Sequence, residues 1–198
     1  MPCYHEAMLL INKEAPNFSA HVVYKNQVKD ISLLDYKGRQ VLLFFYPLDF
    51  TFVCPTELHA FQEALPEFKE RNVEILACSV DSQFTHLAWL ETAKSDGGIK
   101  GIEYGIIADL GGHIARKYDV LADNDVAYRA WFLIDENGIV RHQMVNDLPI
   151  GRSVHEALRV IDALQHSQKY GQVCPANWHK GEAAIEATKE SVSQYLAK

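Results

Sequence analysis

The segment 41–46 (VLLFFY) is the longest uninterrupted apolar run of the chain. A short run of aliphatic and aromatic residues predicts a strand covered on both faces, because a strand with one wet face alternates apolar and polar side chains. Pro47 follows the run and ends it, since proline cannot donate a hydrogen bond to a sheet. A membrane span needs about 18 or more apolar residues. The run therefore predicts a central strand of a globular core and no membrane span.

A helix and a second strand are predicted after this strand. Residues 54–71 place apolar side chains on one helical face, with polar residues opposite: Leu58, Phe61, Leu65 and Phe68. Pro66 is expected to kink or split this helix, because it cannot donate to the carbonyl four residues back. Residues 73–80 (VEILACSV) then resemble a buried strand. Strand, helix and strand in this order predict a parallel βαβ unit.

The remaining pattern extends this unit to an α/β fold. Helices are predicted at about 83–94 and 112–118, a short strand at 106–108, and a hairpin from 129–134 and 139–145 around Asn137-Gly138. Ser153 and Glu156 have capping-box spacing at the start of another helix. We therefore expect a thioredoxin-like fold, with a central mixed β-sheet and helices on both faces. Residues 1–167 form the predicted domain, and residues 168–198, punctuated by glycine and proline, form a C-terminal arm.

Composition excludes several classes of protein. The chain has 198 residues and a formal charge of −7, whereas nucleic acids and anionic membranes attract basic surfaces. The N terminus has no basic segment before an apolar run, so we expect no secretory signal and a cytoplasmic location. The four cysteines, Cys3, Cys54, Cys78 and Cys174, are too scattered for a zinc site or a disulfide scaffold. In a reducing compartment, a cysteine that matters usually performs redox or nucleophilic chemistry.

Cys54 has the sequence context of a reactive cysteine. Pro55 suits the first position of a helix, so Cys54 lies at a helix N terminus, where backbone N–H groups and the helix dipole favour the nucleophilic thiolate. Thr51, three residues earlier, is close enough for its hydroxyl to reach the sulfur or whatever the sulfur attacks. The alternative is that Cys54 fills space as a small apolar residue, and that Thr51 only caps the helix.

Two arginines allow two interpretations each. Arg129 opens the apolar run 130–134, and a charge at the end of a buried strand is costly unless it is paired. Its guanidinium either points inward, where it stabilises the Cys54 thiolate and is held by Glu57, or it is solvated at the end of the strand. Arg152 precedes the capped helix and has the same two interpretations. Cys78 is predicted to be buried and inert, Cys3 to be an incidental exposed thiol, and His5, His59, His86 and His113 to have ordinary surface or packing roles.

Taken together, these motifs resemble the peroxiredoxins, in their typical 2-Cys branch. Pro47, Thr51 and Cys54 form the PxxxTxxC signature, and residues 49–57 (DFTFVCPTE) match the branch almost letter for letter. Further similar segments are residues 79–82, 86–89, 147–154 and 173–178. The resemblance runs from about residue 8 to the end of the chain.

The resemblance implies a role for each site residue. Cys54 would be the peroxidatic cysteine, which attacks the peroxide O–O bond and becomes a sulfenic acid. Thr51 would hydrogen-bond the peroxide, Arg129 would stabilise the thiolate and the charge of the lengthening O–O bond, and Pro47 would shield the sulfur from water. Glu57 and Arg152 would position Arg129. Cys174 would be the resolving cysteine, which comes from the partner subunit and forms an intersubunit disulfide.

The resemblance also implies the partners. The substrates would be hydrogen peroxide and alkyl hydroperoxides, and thioredoxin or a flavoprotein disulfide reductase would restore the thiols in an antioxidant cycle. We expect a homodimer, with five dimers forming a decamer, and neither a cofactor nor a metal bound by the chain.

Two segments depart from the family pattern. Relatives that are sensitive to overoxidation carry a GGLG loop and a terminal YF pair, whereas this chain has GGIKG at 97–101 and Tyr195-Leu196. We expect a loosely packed arm and a rapid disulfide step. Two alternative functions remain at this point. A thioredoxin-like disulfide oxidoreductase is weakened because Glu57 stands where a CxxC motif needs its second cysteine, and a holdase chaperone is not required by any sequence feature.

Overall fold

A computed structural model of the chain describes residues 8–197. Its strands are β1 (Ser19–Tyr24), β2 (Gln27–Ser32), β3 (Gln40–Phe45), β4 (Val73–Ser79), β5 (Gly105–Ala108), β6 (Arg129–Ile134) and β7 (Val140–Asn146). Its α-helices are α1 (Cys54–Glu63), α2 (Leu65–Glu70), α3 (Gln83–Glu91), α4 (His113–Lys117), α5 (Val154–Tyr170) and α6 (Lys189–Leu196). None of these helices is both long and apolar enough to cross a membrane.

The strands form one mixed sheet in the order β2-β1-β5-β4-β3-β6-β7. The predicted βαβ unit is confirmed, because β3 pairs with β4 in parallel, and the predicted hairpin is confirmed, because β6 pairs with β7 antiparallel. Strand β3 is buried along its whole length. Phe44 stacks on Phe61 of α1 with ring centroids 4.5 Å apart, and Phe45 packs on Tyr118, which follows α4, at 5.4 Å. Helices therefore cover both faces of the central strand, as predicted.

The helix predicted at 54–71 is split into α1 and α2. The break falls at Ala64, whose ψ of 0° is not helical, and Pro66 lies in the first turn of α2. A proline in that turn removes no intrahelical hydrogen bond. Pro66 thus divides the helix, as expected from its missing N–H.

The β1–β2 hairpin is absent from the sequence-based prediction. Its turn is made by Lys25 and Asn26, which both have positive φ angles, of 48° and 59°. Such turns usually contain glycine, and this one does not. The outer strand β2 is mostly exposed and polar, so it also lacks the alternation by which a strand is recognised.

The chain divides into two compact units, residues up to Arg152 and residues from Ser153 on. In the second unit, the Ser153 hydroxyl accepts a hydrogen bond from the backbone N–H of Glu156, and α5 ends at Gly171 in the left-handed conformation. Helix α5 is thus grouped with the arm. The predicted division into 1–167 and 168–198 stays a prediction.

Candidate active site

Cys54 is the first residue of α1 and is completely buried, with 0% of its surface exposed. The loop 47–53 leads to it from the end of β3, and Pro55 occupies the first turn of the helix. At this position the positive end of the helix dipole is close to the side chain. The fold therefore places Cys54 Sγ where negative charge is favoured.

Arg129 contacts Cys54 directly. It opens β6, and its Nη1 lies 3.3 Å from Cys54 Sγ and 2.8 Å from Glu57 Oε2. Its Nε donates to the carbonyl oxygen of Leu148. Since the residue is only 4% exposed, the guanidinium points inward and is not solvated at the end of the strand.

Arg152 holds Glu57 from the other side. Its Nε and Nη2 form a fork on the two carboxylate oxygens of Glu57, at 2.8 and 2.9 Å. Its Nη1 donates to the carbonyl oxygens of Phe45 and Ala130, at 2.7 and 2.6 Å. Bidentate pairs of this kind are geometrically specific. Arg152 therefore ties the carboxylate to the ends of β3 and β6, and the carboxylate in turn fixes Arg129.

The buried site carries a net positive charge before the sulfur is counted. Two guanidinium groups and one carboxylate add up to +1, and the side chains of Arg129, Glu57 and Arg152 are at most 5% exposed. An uncompensated buried charge is strongly unfavourable. Negative charge that is present on the sulfur, or that develops there during a reaction, would compensate this positive charge.

The same arrangement changes the ionisation of Glu57. Burial alone raises the pKa of this carboxyl, but the hydrogen bonds and charge of Arg152, together with the charge of Arg129, outweigh it and lower the pKa below its ordinary value of 4.5. Glu57 therefore stays ionised, which keeps both guanidinium groups in place.

We expect the free energy of unfolding of Glu57→Gln to depend less on pH in the acid range than that of wild type. Because the folded-state pKa lies below the unfolded value of 4.5, the stability that this carboxylate contributes is fully present above that pH and is lost as pH falls through the folded pKa. Breaking the buried pair costs about 3–5 kcal/mol near pH 7. Urea unfolding between about pH 3 and about pH 7 measures both effects. Glu63→Gln, at an exposed position of α1, is the control. If the free energy of unfolding fell equally with acidification in wild type and in Glu57→Gln, the stabilising role of the Glu57 carboxylate would be contradicted.

Pro47 and Thr51 lie in the loop that leads to Cys54. Pro47 is buried two residues after the end of β3, and Thr51 is half-buried. The Thr51 hydroxyl donates to the carbonyl oxygen of Leu48 at 2.9 Å. This bond fixes the Thr51 side chain within the loop. A contact between the Thr51 hydroxyl and Cys54 Sγ stays a prediction.

A buried side-chain contact between Asp49 and His86 anchors this loop and is not predicted from the sequence. His86 Nδ1 lies 2.7 Å from Asp49 Oδ2, and both side chains are fully buried. Tyr46 donates its hydroxyl to Asp49 Oδ1 at 2.7 Å, and His86 Nε2 contacts the carbonyl oxygen of Ile107 at 3.2 Å. The packing role predicted for His86 is thus too simple, because the imidazole pairs with the loop that carries Thr51. The two residues are 37 positions apart, and no local sequence pattern joins them.

Cys174 lies in the second unit, between α5 and α6. It is a half-buried free thiol whose Sγ lies 3.6 Å from the carbonyl oxygen of Ala163. Burial raises the pKa of Cys174, and the positive charge of Arg159 opposes this only in part. The resting form of Cys174 is therefore the thiol.

The remaining cysteines lie apart from this site or outside the described residues. Cys78 is fully buried in β4, and burial, with the charge of Asp109, raises its pKa well above the ordinary range. The prediction that Cys78 is buried is confirmed, and its raised pKa keeps it unreactive. Cys3 and His5 lie outside the described residues. Within residues 8–197, no three His, Cys, Asp or Glu side chains are grouped so that they could hold a metal ion.

Two family models match the sequence. The AhpC/TSA family matches residues 11–143, and the C-terminal domain of 1-Cys peroxiredoxin matches residues 163–198. Peroxiredoxin tpx1 of Schizosaccharomyces pombe is 48% identical over 191 residues, which are 96% of this chain and 98% of the relative. A thioredoxin peroxidase of Echinococcus granulosus is 44% identical over 189 residues, 95% of this chain and 98% of the relative.

Solved structures agree with these relatives. The reduced 2-Cys peroxiredoxin of Plasmodium vivax has a TM-score of 0.94 and 51% identity, covering 96% of this chain and all of that chain. AhpC of Enterococcus faecalis has a TM-score of 0.79 and 36% identity, covering 85% of this chain and all of that chain. The predicted thioredoxin-like fold and the predicted family are thereby confirmed. The chain belongs to the AhpC/TSA family, as a typical 2-Cys peroxiredoxin and hence a thiol-dependent peroxidase.

Proposed function

We propose that this protein reduces hydrogen peroxide and organic hydroperoxides, with Cys54 as the peroxidatic cysteine and Cys174 of a partner subunit as the resolving cysteine. The observation that carries the proposal is the 3.3 Å contact between Cys54 Sγ and Arg129 Nη1, in a buried site whose other charges add up to +1. The alternative of a CxxC oxidoreductase loses further support. Position 57, where its second cysteine would stand, holds a carboxylate that accepts hydrogen bonds from Arg129 and Arg152.

The first step is attack of the Cys54 thiolate on one peroxide oxygen. An S–O bond forms, the O–O bond breaks, and two electrons pass from the sulfur to the peroxide. The leaving alkoxide or hydroxide takes up a proton and departs as alcohol or water, while the sulfur becomes a sulfenic acid. Arg129 points its Nη1 at the reacting sulfur, where it stabilises the charge that moves onto the oxygens. Thr51 orients the peroxide, and Pro47 keeps water from the sulfur.

The second and third steps restore the thiolate. The Cys174 thiol attacks the sulfenic sulfur, so that an S–S bond forms and the sulfenic oxygen leaves as water. A dithiol reductant then transfers two electrons and two protons by thiol–disulfide exchange. We assign thioredoxin or a flavoprotein disulfide reductase to this step. The name of the Echinococcus relative, thioredoxin peroxidase, supports the first of the two. The expected cytoplasmic location, with its reducing thiol pool, belongs to the same proposal.

We expect Cys174→Ser to complete one oxidation and then stop. Without the resolving thiol, the sulfenic acid on Cys54 cannot become a disulfide, so thioredoxin-linked turnover is lost while one equivalent of peroxide is still consumed. Dithiothreitol, a small thiol, should restore turnover by attacking the sulfenic acid directly. A coupled assay with thioredoxin and thioredoxin reductase measures this, with Cys78→Ala as the control. Full thioredoxin-linked cycling by Cys174→Ser would contradict the resolving role.

The proposed homodimer is supported by the edge strand β7. Of the two edges of the sheet, β2 is exposed and presents Lys29 and Asp30, which discourage pairing with another chain. Strand β7 is mostly half-buried and places Met144 and Val145 near its end. Exposed backbone donors and acceptors on such a strand favour antiparallel pairing with the same strand of a second copy.

The proposed decamer is supported by exposed aromatic residues. Phe50 and Phe52 in the loop 47–53 are 53% and 93% exposed, and Phe84 at the start of α3 is 71% exposed. Exposed large aromatic side chains are enriched at association surfaces. We expect Phe84→Asp to convert decamers into dimers, because a charge replaces an apolar contact in each copy. Sedimentation velocity measures the mass of the oligomer. A mass unchanged from wild type would show that Phe84 does not lie in the interface between dimers.

A further inference from the structure

The Arg129 guanidinium that contacts Cys54 is held at two points. Its Nη1 donates to Glu57 Oε2, and its Nε donates to the carbonyl oxygen of Leu148. A planar guanidinium that is fixed at both points keeps one orientation, and in that orientation Nη1 lies 3.3 Å from Cys54 Sγ. With the carboxylate alone, the group can rotate about its Nη1 contact. The position of the Leu148 carbonyl therefore helps to fix Arg129 against the sulfur.

Leu148 lies in the loop 147–151, which leads from the end of β7 to Arg152. Asp147 shapes this loop, because its carboxylate accepts from the backbone N–H of Leu148 at 2.8 Å and its carbonyl oxygen accepts from that of Ile150 at 3.1 Å. Both bonds join residues within the loop. They therefore set the shape of the loop and not its place on the sheet.

The side chain of Asn146 joins the two ends of this loop. Its Nδ2 donates to the carbonyl oxygens of Ile150 and Gly151, at 3.2 and 3.4 Å. Asn146 is the last residue of β7 and lies opposite Arg129 in the pairing of β6 with β7. Directly opposite residues of an antiparallel pair have their side chains on the same face of the sheet. The amide thus ties the far end of the loop to the strand position beside Arg129.

The far end of the loop is itself anchored to the active site. The backbone N–H of Arg152 donates to Glu57 Oε1 at 2.9 Å. Gly151 lies against the residue before Cys54, since a Cβ built on this glycine would be 3.5 Å from Val53 Cγ1. The carbonyl that Arg129 uses lies three residues before this glycine, so these anchors do not fix it directly. The Asn146 amide connects the anchored end to β7 and so limits the movement of the residues between them.

We propose that Asn146 is a positioning residue for the first step. Its amide holds the loop 147–151, whose Leu148 carbonyl keeps Arg129 against the sulfur. This role rests on the proposed function, in which Arg129 stabilises the charge that moves onto the peroxide oxygens. Both acceptors of the amide are backbone carbonyls, so Asn146 acts through Arg129 and does not touch the reacting atoms. The amide changes the fraction of molecules in which the guanidinium is in place.

The test compares Asn146→Ala, which removes the donor, with Asn146→Asp, which places carboxylate oxygens against the two carbonyls. Gln27→Glu, the same change of amide to carboxylate at an exposed position of β2, is the matched control. Stopped-flow fluorescence of each reduced protein with peroxide gives the rate constant of the first step. Since a neutral hydrogen bond shifts an equilibrium by about 2–10-fold, Asn146→Ala should react about five-fold more slowly and Asn146→Asp about ten-fold more slowly than wild type. Gln27→Glu should react at the wild-type rate.

The Arg129→Ala background shows whether Asn146 acts through Arg129. If it does, adding Asn146→Ala to Arg129→Ala causes no further loss, because residues that act as one unit are not additive. An equal loss in both backgrounds would overturn the inference, and so would a wild-type rate in folded Asn146→Ala. Urea unfolding shows which proteins are folded. Both variants of Asn146 remove the donor, so either one decides the test, and if neither folds the residue is structural and the inference fails.

The same measurements separate this role from the proposed function. If Arg129→Ala reacts at the wild-type rate, the proposed role of Arg129 fails, and the role of Asn146 fails with it. If Arg129→Ala is slow and Asn146→Ala is as fast as wild type, the inference alone fails.

Discussion

Cys54→Ser abolishes peroxide turnover with every reductant, including small thiols. A serine hydroxyl does not ionise near neutral pH, and its oxygen cannot lose two electrons to form an analogue of the sulfenic acid. The contact of Arg129 with Glu57 does not involve the sulfur, and urea unfolding of Cys54→Ser shows whether the fold is retained. The whole loss of activity therefore reports on the chemistry of one atom.

The measurement is peroxide consumption, followed with thioredoxin and again with dithiothreitol. Cys78→Ala is the matched control, since Cys78 is also a buried free thiol but has a strongly raised pKa and lies in β4. We expect the control to retain wild-type turnover. Peroxide consumption by Cys54→Ser above the uncatalysed rate would contradict the assignment of the peroxidatic cysteine.

Arg129→Ala slows the first step by about 10²–10³-fold, the usual effect of removing one preorganised group that stabilises charge. In wild type, Arg129, Arg152, Glu57 and the thiolate add up to zero charge. Without Arg129 the same thiolate gives the buried site a charge of −1, so that both the thiolate and the departing oxygen lose their compensation. Arg129→Lys is expected to restore the rate only in part, because a lysine keeps the charge but cannot contact Cys54, Glu57 and the Leu148 carbonyl at once.

Stopped-flow fluorescence of the reduced protein with peroxide gives the rate constant of this step directly. Urea unfolding of each variant shows whether the fold is retained, which separates loss of charge from loss of structure. Arg39→Ala, at an exposed arginine paired with Glu74, is the control and should react at the wild-type rate. An Arg129→Ala protein that is folded and reacts within three-fold of wild type would remove Arg129 from the mechanism.

Local sequence patterns were sufficient for the centre of the fold and for the position of the reactive sulfur. The apolar run at β3, the split at Pro66 and the turn at Asn137-Gly138 each have a cause within a few residues, so each is visible in the sequence. Arg129 was recognised because a charge in an apolar strand requires a partner. The structure then decided between its two interpretations through the 3.3 Å contact with Cys54.

The contacts that the sequence could not predict join residues that are far apart in the chain. The pair of Asp49 and His86 spans 37 positions. A second such contact, 3.0 Å between His59 Nε2 of α1 and the carbonyl oxygen of Gly98, spans 39 positions. Neither has a local periodicity or a motif, because each depends on how α1 and α3 pack around the loop 47–53. The β1–β2 hairpin was missed for a local reason, since its turn uses Lys25 and Asn26 in place of glycine.

The most direct test of the central claim is a chemical trap for the oxidised sulfur. Cys174→Ser protein, fully reduced, receives one equivalent of hydrogen peroxide in the presence of dimedone, which reacts with sulfenic acids, and the tryptic peptides are weighed by mass spectrometry. We predict one dimedone adduct per chain, on the peptide that contains Cys54, and none when Arg129→Ala is added and the reaction is stopped within the wild-type reaction time. An adduct on the Cys78 peptide, or peroxide consumed with Cys54 left unlabelled and unoxidised, would contradict the account.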